Sequence, residues 1–159
     1  MISLVLALAG PVAGSRVLDL FCGMGNFSIP LAIAGTRVTG VEWNRESIAR
    51  AAINAGAAGA TDTRFIAGDV FSVLRRFSRH QAPFDLVLLD PPRSGAAREA
   101  PLLADLGVKK ILYVSCDPAT LARDIVILAA KGYSLASITP VDMFPQTHHI
   151  ESVVLLEKN

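Results

Sequence analysis

The sequence predicts a doubly wound α/β domain: a mostly parallel, seven-stranded sheet with an antiparallel last strand. Three observations carry this. Apolar runs of strand length alternate with stretches of helical length along most of the chain, the pattern of strand, helix and parallel strand in repetition. Apolar residues make up 52% of the 159 residues and charged residues only 18%, which suits strands covered on both faces. Near the end the alternation stops, and two strand-like segments are joined by too few residues for a crossover helix.

The elements follow in order. MISLVLALAGPVAG has the apolar run of a signal peptide but lacks a basic leader segment and runs directly into a strand. Its apolar run is also far shorter than the ~20 residues that cross a bilayer. It is read as a helix packed on the sheet of a cytosolic (cytoplasmic), monomeric protein with no membrane partner. RVLDLF (16–21) is a strand, followed by a Gly-rich turn and a helix over 26–34. RVTGVE (37–42) and a helix over 44–56 come next, then TRFIAGD (63–69) and the basic helix VFSVLRRFSRH. FDLVLLD (84–90), a helix over 97–106, a strand over 109–116 and a helix over 118–131 complete the alternation. The tail strands 133–141 and 150–157, joined by DMFPQTHH, form an antiparallel hairpin. No repeat or linker divides the chain, so one domain over 1–159 is expected.

Formal net charge is +1, which supplies no global basic field for a polyanion. The two cysteines, Cys22 and Cys116, are too few for a disulfide scaffold and form no CxxC pair. His80 and the pair His148 and His149 suggest no metal site.

VLDLFCGMGNFS places Gly23 and Gly25 in the first strand-to-helix turn, where glycine allows close approach of a ligand to main-chain N–H groups. The turn fails as a dinucleotide fingerprint, because the third glycine of G-x-G-x-x-G is Ser28. Instead, acids end three successive strands. Asp19 can meet a cationic group, Glu42 can accept two ribose hydroxyls, and Asp69 lies within reach of an exocyclic amine. Any one of them alone could simply cap a helix. Together they fit S-adenosylmethionine, which carries a sulfonium and an ammonium and no phosphate. The flanking Phe21 and Asn26, and Asp90 at the end of the fourth strand, belong to the same candidate cofactor site.

LLDPPRSG ends the fourth strand with Asp90, and Pro91, Pro92 and Arg93 follow as a rigid rim on the carboxyl edge. That edge is where open α/β sheets bind ligands, so these three residues are candidate substrate contacts. Amino-group methyltransferases have an aromatic after a similar Asp-Pro-Pro; Arg93 stands there instead. Cys116 ends the fifth strand on the same edge, at a helix N-terminus that favours a thiolate. A buried, inert cysteine is the commoner case, and Cys22 is read that way. The reversed last strand begins on this edge with Glu151. A thiolate, a carboxylate and a methyl donor on one rim suit methylation of a pyrimidine at carbon 5, with Cys116 as nucleophile, Glu151 as base and Asp90 hydrogen-bonding the ring.

At these residues the sequence resembles the RNA uracil-C5 methyltransferases, through VLDLFCGMGNFS, FDLVLLDPPRSG, YVSCDPATLARD and DMFPQTHHIESVVLL. The segments stand in the family's order and span nearly the whole chain. The resemblance implies the class I S-adenosylmethionine-dependent methyltransferase fold and an RNA substrate, tRNA or rRNA. It also implies Cys116, Glu151 and Asp90 in the roles above and cofactor contacts at Asp19, Gly23, Glu42 and Asp69. The OB-like RNA-binding domain and the iron–sulfur cysteines of the family are expected to be absent from these residues. Two alternatives stay open: methylation of cytosine or an amino group, and a cofactor-binding module without catalysis.

Overall fold

In the computed structural model, every residue is described except Pro11, Phe144, Pro145 and residues 147–149. The elements in chain order are α1 (Ile2–Ala9), β1 (Arg16–Leu20), α2 (Ser28–Ile33), β2 (Arg37–Glu42), α3 (Arg45–Ala57), β3 (Thr63–Ala67), α4 (Val70–Arg79), β4 (Leu86–Leu89), α5 (Ala100–Leu106), β5 (Lys110–Ser115), α6 (Pro118–Ala129), β6 (Tyr133–Val141) and β7 (Glu151–Lys158). They build one seven-stranded sheet in the order β3-β2-β1-β4-β5-β7-β6. The first five strands are mutually parallel, and β7 runs antiparallel to both β5 and β6.

Alternation along the strands divides the core in two. Val17, Val38, Leu88, Leu112 and Val114 pack against α1 and α2 on one face. Leu18, Leu20, Val41, Leu89, Ile111 and Tyr113 pack against α4, α5 and α6 on the other. Each aliphatic side chain fully withdrawn from water contributes about 1.5–3 kcal/mol, which explains why β4, LVLL, is buried throughout. The helices after β2, β3 and β5 each begin with a side-chain cap. Asn44 accepts from Glu46 and Ser47, Asp69 from Ser72, and Asp117 from Ala119 and Thr120.

The expected order of elements is the observed one, and the differences lie at the ends. β3 stops at Ala67 and not at 69, because Asp69 turns out of the sheet to cap α4. β5 ends at Ser115, which leaves Cys116 in the turn beyond the strand. α5 begins at Ala100 and not at 97, since 94–99 form turns tied to α6. β1 ends at Leu20, because Phe21 adopts φ 61. The expected hairpin connection DMFPQTHH lies largely outside the described residues, as does the pair His148 and His149. No described helix is long and apolar enough to cross a membrane.

Candidate active site

The carboxyl edge of the sheet is built first by the turn after β1. Phe21 sits in the left-handed backbone region, which is costly for an aromatic residue and marks a turn held by its surroundings. Gly23 and Gly25 continue it with φ 52 and 90. A Cβ on Gly25 would stand 3.0 Å from the Ile29 side chain. Cys22 is buried in this turn against the middle of β2, where a Cβ on Gly40 would fall 2.9 Å from the thiol and 2.7 Å from Phe65. Burial, with Asp19 and Glu42 nearby, pushes the Cys22 thiol far up, so it is a packing residue and a poor nucleophile.

The acids behave differently from one another. Asp19 is fully buried, and Ser28 donates to its Oδ2 at 2.5 Å, while Oδ1 has no partner. Burial, only partly offset by the Ser28 hydroxyl and reinforced by Asp90, pushes its carboxyl up to about 7. A buried carboxylate oxygen without a donor is costly, and a cationic ligand group is the partner that would resolve it. Glu42, buried, accepts from the N–H of Asn44 at 3.0 Å and of Gly23 at 3.4 Å, which ties β2 to the glycine turn. Asp69 is exposed; its hydrogen bonds to the Ser72 side chain and amide hold its carboxyl below the usual range. Part of its acceptor capacity is therefore used as a cap. Asn26 is exposed beside the turn.

Phe21, Asp69 and Pro92 converge on a cleft of about 290 Å³. Trp43, Val70, Arg98 and Glu99 also line it. Trp43 is 71% exposed, an unusual exposure for an indole, and sequence reasoning overlooked it. Its signal was its place immediately after the strand-end acid Glu42. Pro91, by contrast, is buried beneath the rim, so of the two prolines only Pro92 faces the cleft.

The second half of the edge joins Asp90, Cys116 and Glu151. β5 and β7 pair with Ser115 opposite Ser152. Cys116 follows Ser115 in the chain and Glu151 precedes Ser152, so both flank this pair at the carboxyl edge. Cys116 and Glu151 are both half-buried. Asp90, just past β4, is solvent-accessible, yet loss of hydration within the rim and the charge of Glu151 push its carboxyl up to about 6. Asp90 thus lies within electrostatic reach of Asp19 on one side and Glu151 on the other.

A buried clamp holds the loop that follows Asp90. Asp124 of α6 is fully buried and accepts from the Ala96 N–H at 2.6 Å, the Tyr113 hydroxyl at 2.7 Å and Arg123 Nε at 2.9 Å. Arg123 Nη2 also donates to the Ser94 carbonyl at 2.8 Å, and Thr120 Oγ1 to the Arg93 carbonyl at 3.1 Å. The Arg93 cation in turn helps hold the Asp117 carboxyl low, after that group's own capping bonds. Asp124 was missed in the sequence, although its signal was present: it occupies the apolar stripe of α6 between Leu121 and Leu128.

The parallel sheet, its reversed last strand and an acid-lined carboxyl edge define the class I S-adenosylmethionine-dependent methyltransferase fold. Solved structures agree, including magnesium protoporphyrin IX methyltransferase of Synechocystis (22% identity, TM-score 0.77, covering 99% of this chain and 78% of that one), which speaks for the fold alone. The statistical description of the tRNA (uracil-5-)-methyltransferase family matches residues 1–159, and the chain belongs to that family. It is 44% identical over 162 residues to the 23S rRNA (uracil(1939)-C(5))-methyltransferase RlmD of Hahella chejuensis and 46% over 157 residues to that of Pseudomonas fluorescens. Each match covers 99% of this chain but only 36% and 35% of the relative, so the chain spans about a third of their length. The crystal structure of Pyrococcus abyssi tRNA (uracil-54, C5)-methyltransferase with S-adenosyl-L-homocysteine superposes with a TM-score of 0.82 at 35% identity, covering 97% of this chain and 37% of that one.

Proposed function

We propose that this domain binds S-adenosylmethionine along the ends of β1–β3 and methylates a uridine of RNA, tRNA or rRNA, at carbon 5. The observation that supports the reading is the β5–β7 register, whose pair Ser115–Ser152 is flanked in the chain by Cys116 and Glu151, together with the charge of Glu151 felt at Asp90. The named activities of the relatives support it. The orphaned oxygen of Asp19 fits a cationic cofactor, with Glu42 suited to the ribose and the Phe21–Trp43–Asp69 cleft suited to the adenine.

S-adenosylmethionine, when bound, supplies an electrophilic methyl group on a sulfonium. The Cys116 thiolate adds to carbon 6 of uracil, and the electron pair of the 5,6 double bond moves into an enolate. Asp90 hydrogen-bonds the ring. Carbon 5, now nucleophilic, takes the methyl group. Glu151 then removes the proton from carbon 5, and the electrons of that C–H bond reform the double bond and expel the Cys116 thiolate. The base is needed because the sulfur cannot leave until that proton does.

In the full-length gene product, Cys116→Ala should abolish turnover and any covalent RNA adduct. Glu151→Gln should accumulate a methylated adduct, visible on a denaturing gel, because attack and methyl transfer precede the blocked step. Normal turnover by Glu151→Gln, or an adduct from Cys116→Ala, would overturn the assignment. Cys22→Ser is the internal control and should leave the adduct intact.

A further inference from the structure

The edge of the sheet opposite the rim carries the reverse charge. Arg16 and Arg37 are the first residues of β1 and β2 and are direct cross-strand partners. Arg64 pairs with Thr39, two residues on from Arg37, so all three arginines project from one face of the sheet. They line a groove of about 270 Å³ with the threonines 39 and 63. All three are exposed, and among the described residues none of them makes an ion pair. The acid lining the groove is Asp62, and Asp85, next along the chain from the groove residue Phe84, is engaged by the Arg16 main-chain N–H at 2.8 Å. Further along the same edge, Lys110 is balanced by Glu157 at 3.6 Å. Lys109 and Lys158 form a second basic cluster around Lys110, and the three arginines over β1–β3 are the cluster built on directly paired strands.

Two guanidiniums directly opposite each other on adjacent strands repel, and an anion lying between them removes that cost. Guanidinium forks match phosphate oxygens two at a time. The acidic rim, with Asp19, Glu42, Asp69, Asp90 and Glu151, repels the phosphates of the RNA whose base would enter it. Arg93 and Arg98 stand beside these acids, and a further basic surface elsewhere would add affinity for the backbone. A five-residue strand separates the two edges by roughly 16 Å, a span that a folded RNA bridges easily.

We propose that the Arg16–Arg37–Arg64 groove binds the phosphate backbone of the substrate RNA at a point remote from the methylated base. The inference rests on the proposed RNA activity but concerns a separate surface. The test replaces all three arginines with glutamine in the full-length gene product. RNA affinity is measured as a function of salt, and methyl transfer is compared on a short hairpin and on a long folded RNA. The combined variant should lose roughly two units from the slope of log affinity against log salt. It should also show a raised KM on the long RNA, with kcat and hairpin activity unchanged. Arg45→Gln, Arg50→Gln and Arg79→Gln together, exposed on α3 and α4, remove the same three charges and should change the slope less. Should the combined variant fold poorly by circular dichroism, each single variant should still lower the slope by about one third as much. A slope and KM equal to those of the wild type or of the control variant would overturn the proposal. So would saturable displacement of the RNA by inorganic phosphate at unchanged ionic strength, which would mark a small-anion site. A wild type that binds RNA but transfers no methyl group would instead sink the catalytic reading, and the salt slope would still test the groove.

Discussion

Gly95 shows how one residue fixes the loop beside the proposed reaction centre. It has φ 71, and a Cβ there would fall 2.5 Å from Asp124 Oδ2 and 2.6 Å from Arg123 Nη2. Neither partner can withdraw without breaking its bonds to Ala96, Tyr113 or Ser94. Gly95→Ala should therefore destabilise by about 1–3 kcal/mol through overpacking alone, before any backbone strain. Asp124→Ala should cost more, about 3–5 kcal/mol, because it leaves buried donors without an acceptor. Tyr113→Phe removes one donor of three and should cost about 1–2 kcal/mol. Urea denaturation would check the ranking, and a Gly95→Ala as stable as the wild type would mean that the loop is not held at this point.

At the scale of elements, the caps and the proposed cofactor contacts occupy the same strand-to-helix turns. Asp69 is the sharpest case, since one carboxylate caps α4 and lines the cleft. Asp69→Ser retains a capping oxygen, whereas Asp69→Ala loses it and should cost about 1 kcal/mol of stability. Both should weaken binding of S-adenosylhomocysteine if the carboxylate also meets the adenine. Calorimetry on the two variants separates the roles, and unchanged affinity in both would leave Asp69 as a cap alone. Glu42→Ala should weaken binding by roughly 1.5–3 kcal/mol through two lost charge-assisted ribose bonds. Part of any stability loss there would come from the Gly23 and Asn44 amides it now accepts from.

Across the whole molecule, β1, β4 and β7 bring Asp19, Asp90 and Glu151 to one edge. Asp19 is held near 7 and Asp90 near 6, both above the ordinary carboxylate value of about 4. A carboxyl whose folded value is raised contributes stability fully below its unfolded value and loses it as pH rises through the folded one. The ligand-free protein should therefore become less stable from about pH 4 to pH 7, by at most about 1.4 kcal/mol per pH unit for each group. Asp69 and Asp117, held low, act in the opposite sense but only at more acidic pH. A cationic cofactor favours ionised Asp19, so its stabilising effect should grow over the same interval. Tm measured from pH 5 to 8, with and without S-adenosylmethionine, checks this. Asp19→Asn should flatten both trends, and parallel profiles for variant and wild type would remove Asp19 from the linkage.

The order of elements was legible in the sequence because each strand carries its own apolar run and each turn its own glycine, proline or capping side chain. RVLDLF, RVTGVE and YVSCDP announce a strand and its exit within six residues, so the rim residues Asp19, Glu42 and Cys116 could be placed without knowing what surrounds them. The reversal of β7 was legible for the same local reason, the shortness of the connection before it. What the sequence could not decide depends on partners far away along the chain. Whether Asp69 caps or waits for a ligand, and whether Pro91 or Pro92 faces the cleft, follows from the packing of several elements against one another. Asp124 reads as one charge on an apolar helix until the loop from β4 closes over it 28 residues earlier in the chain. The charge balance of +1 likewise hides a basic edge and an acidic edge. Composition sums charges over the chain, and only the parallel sheet sorts strand beginnings from strand ends.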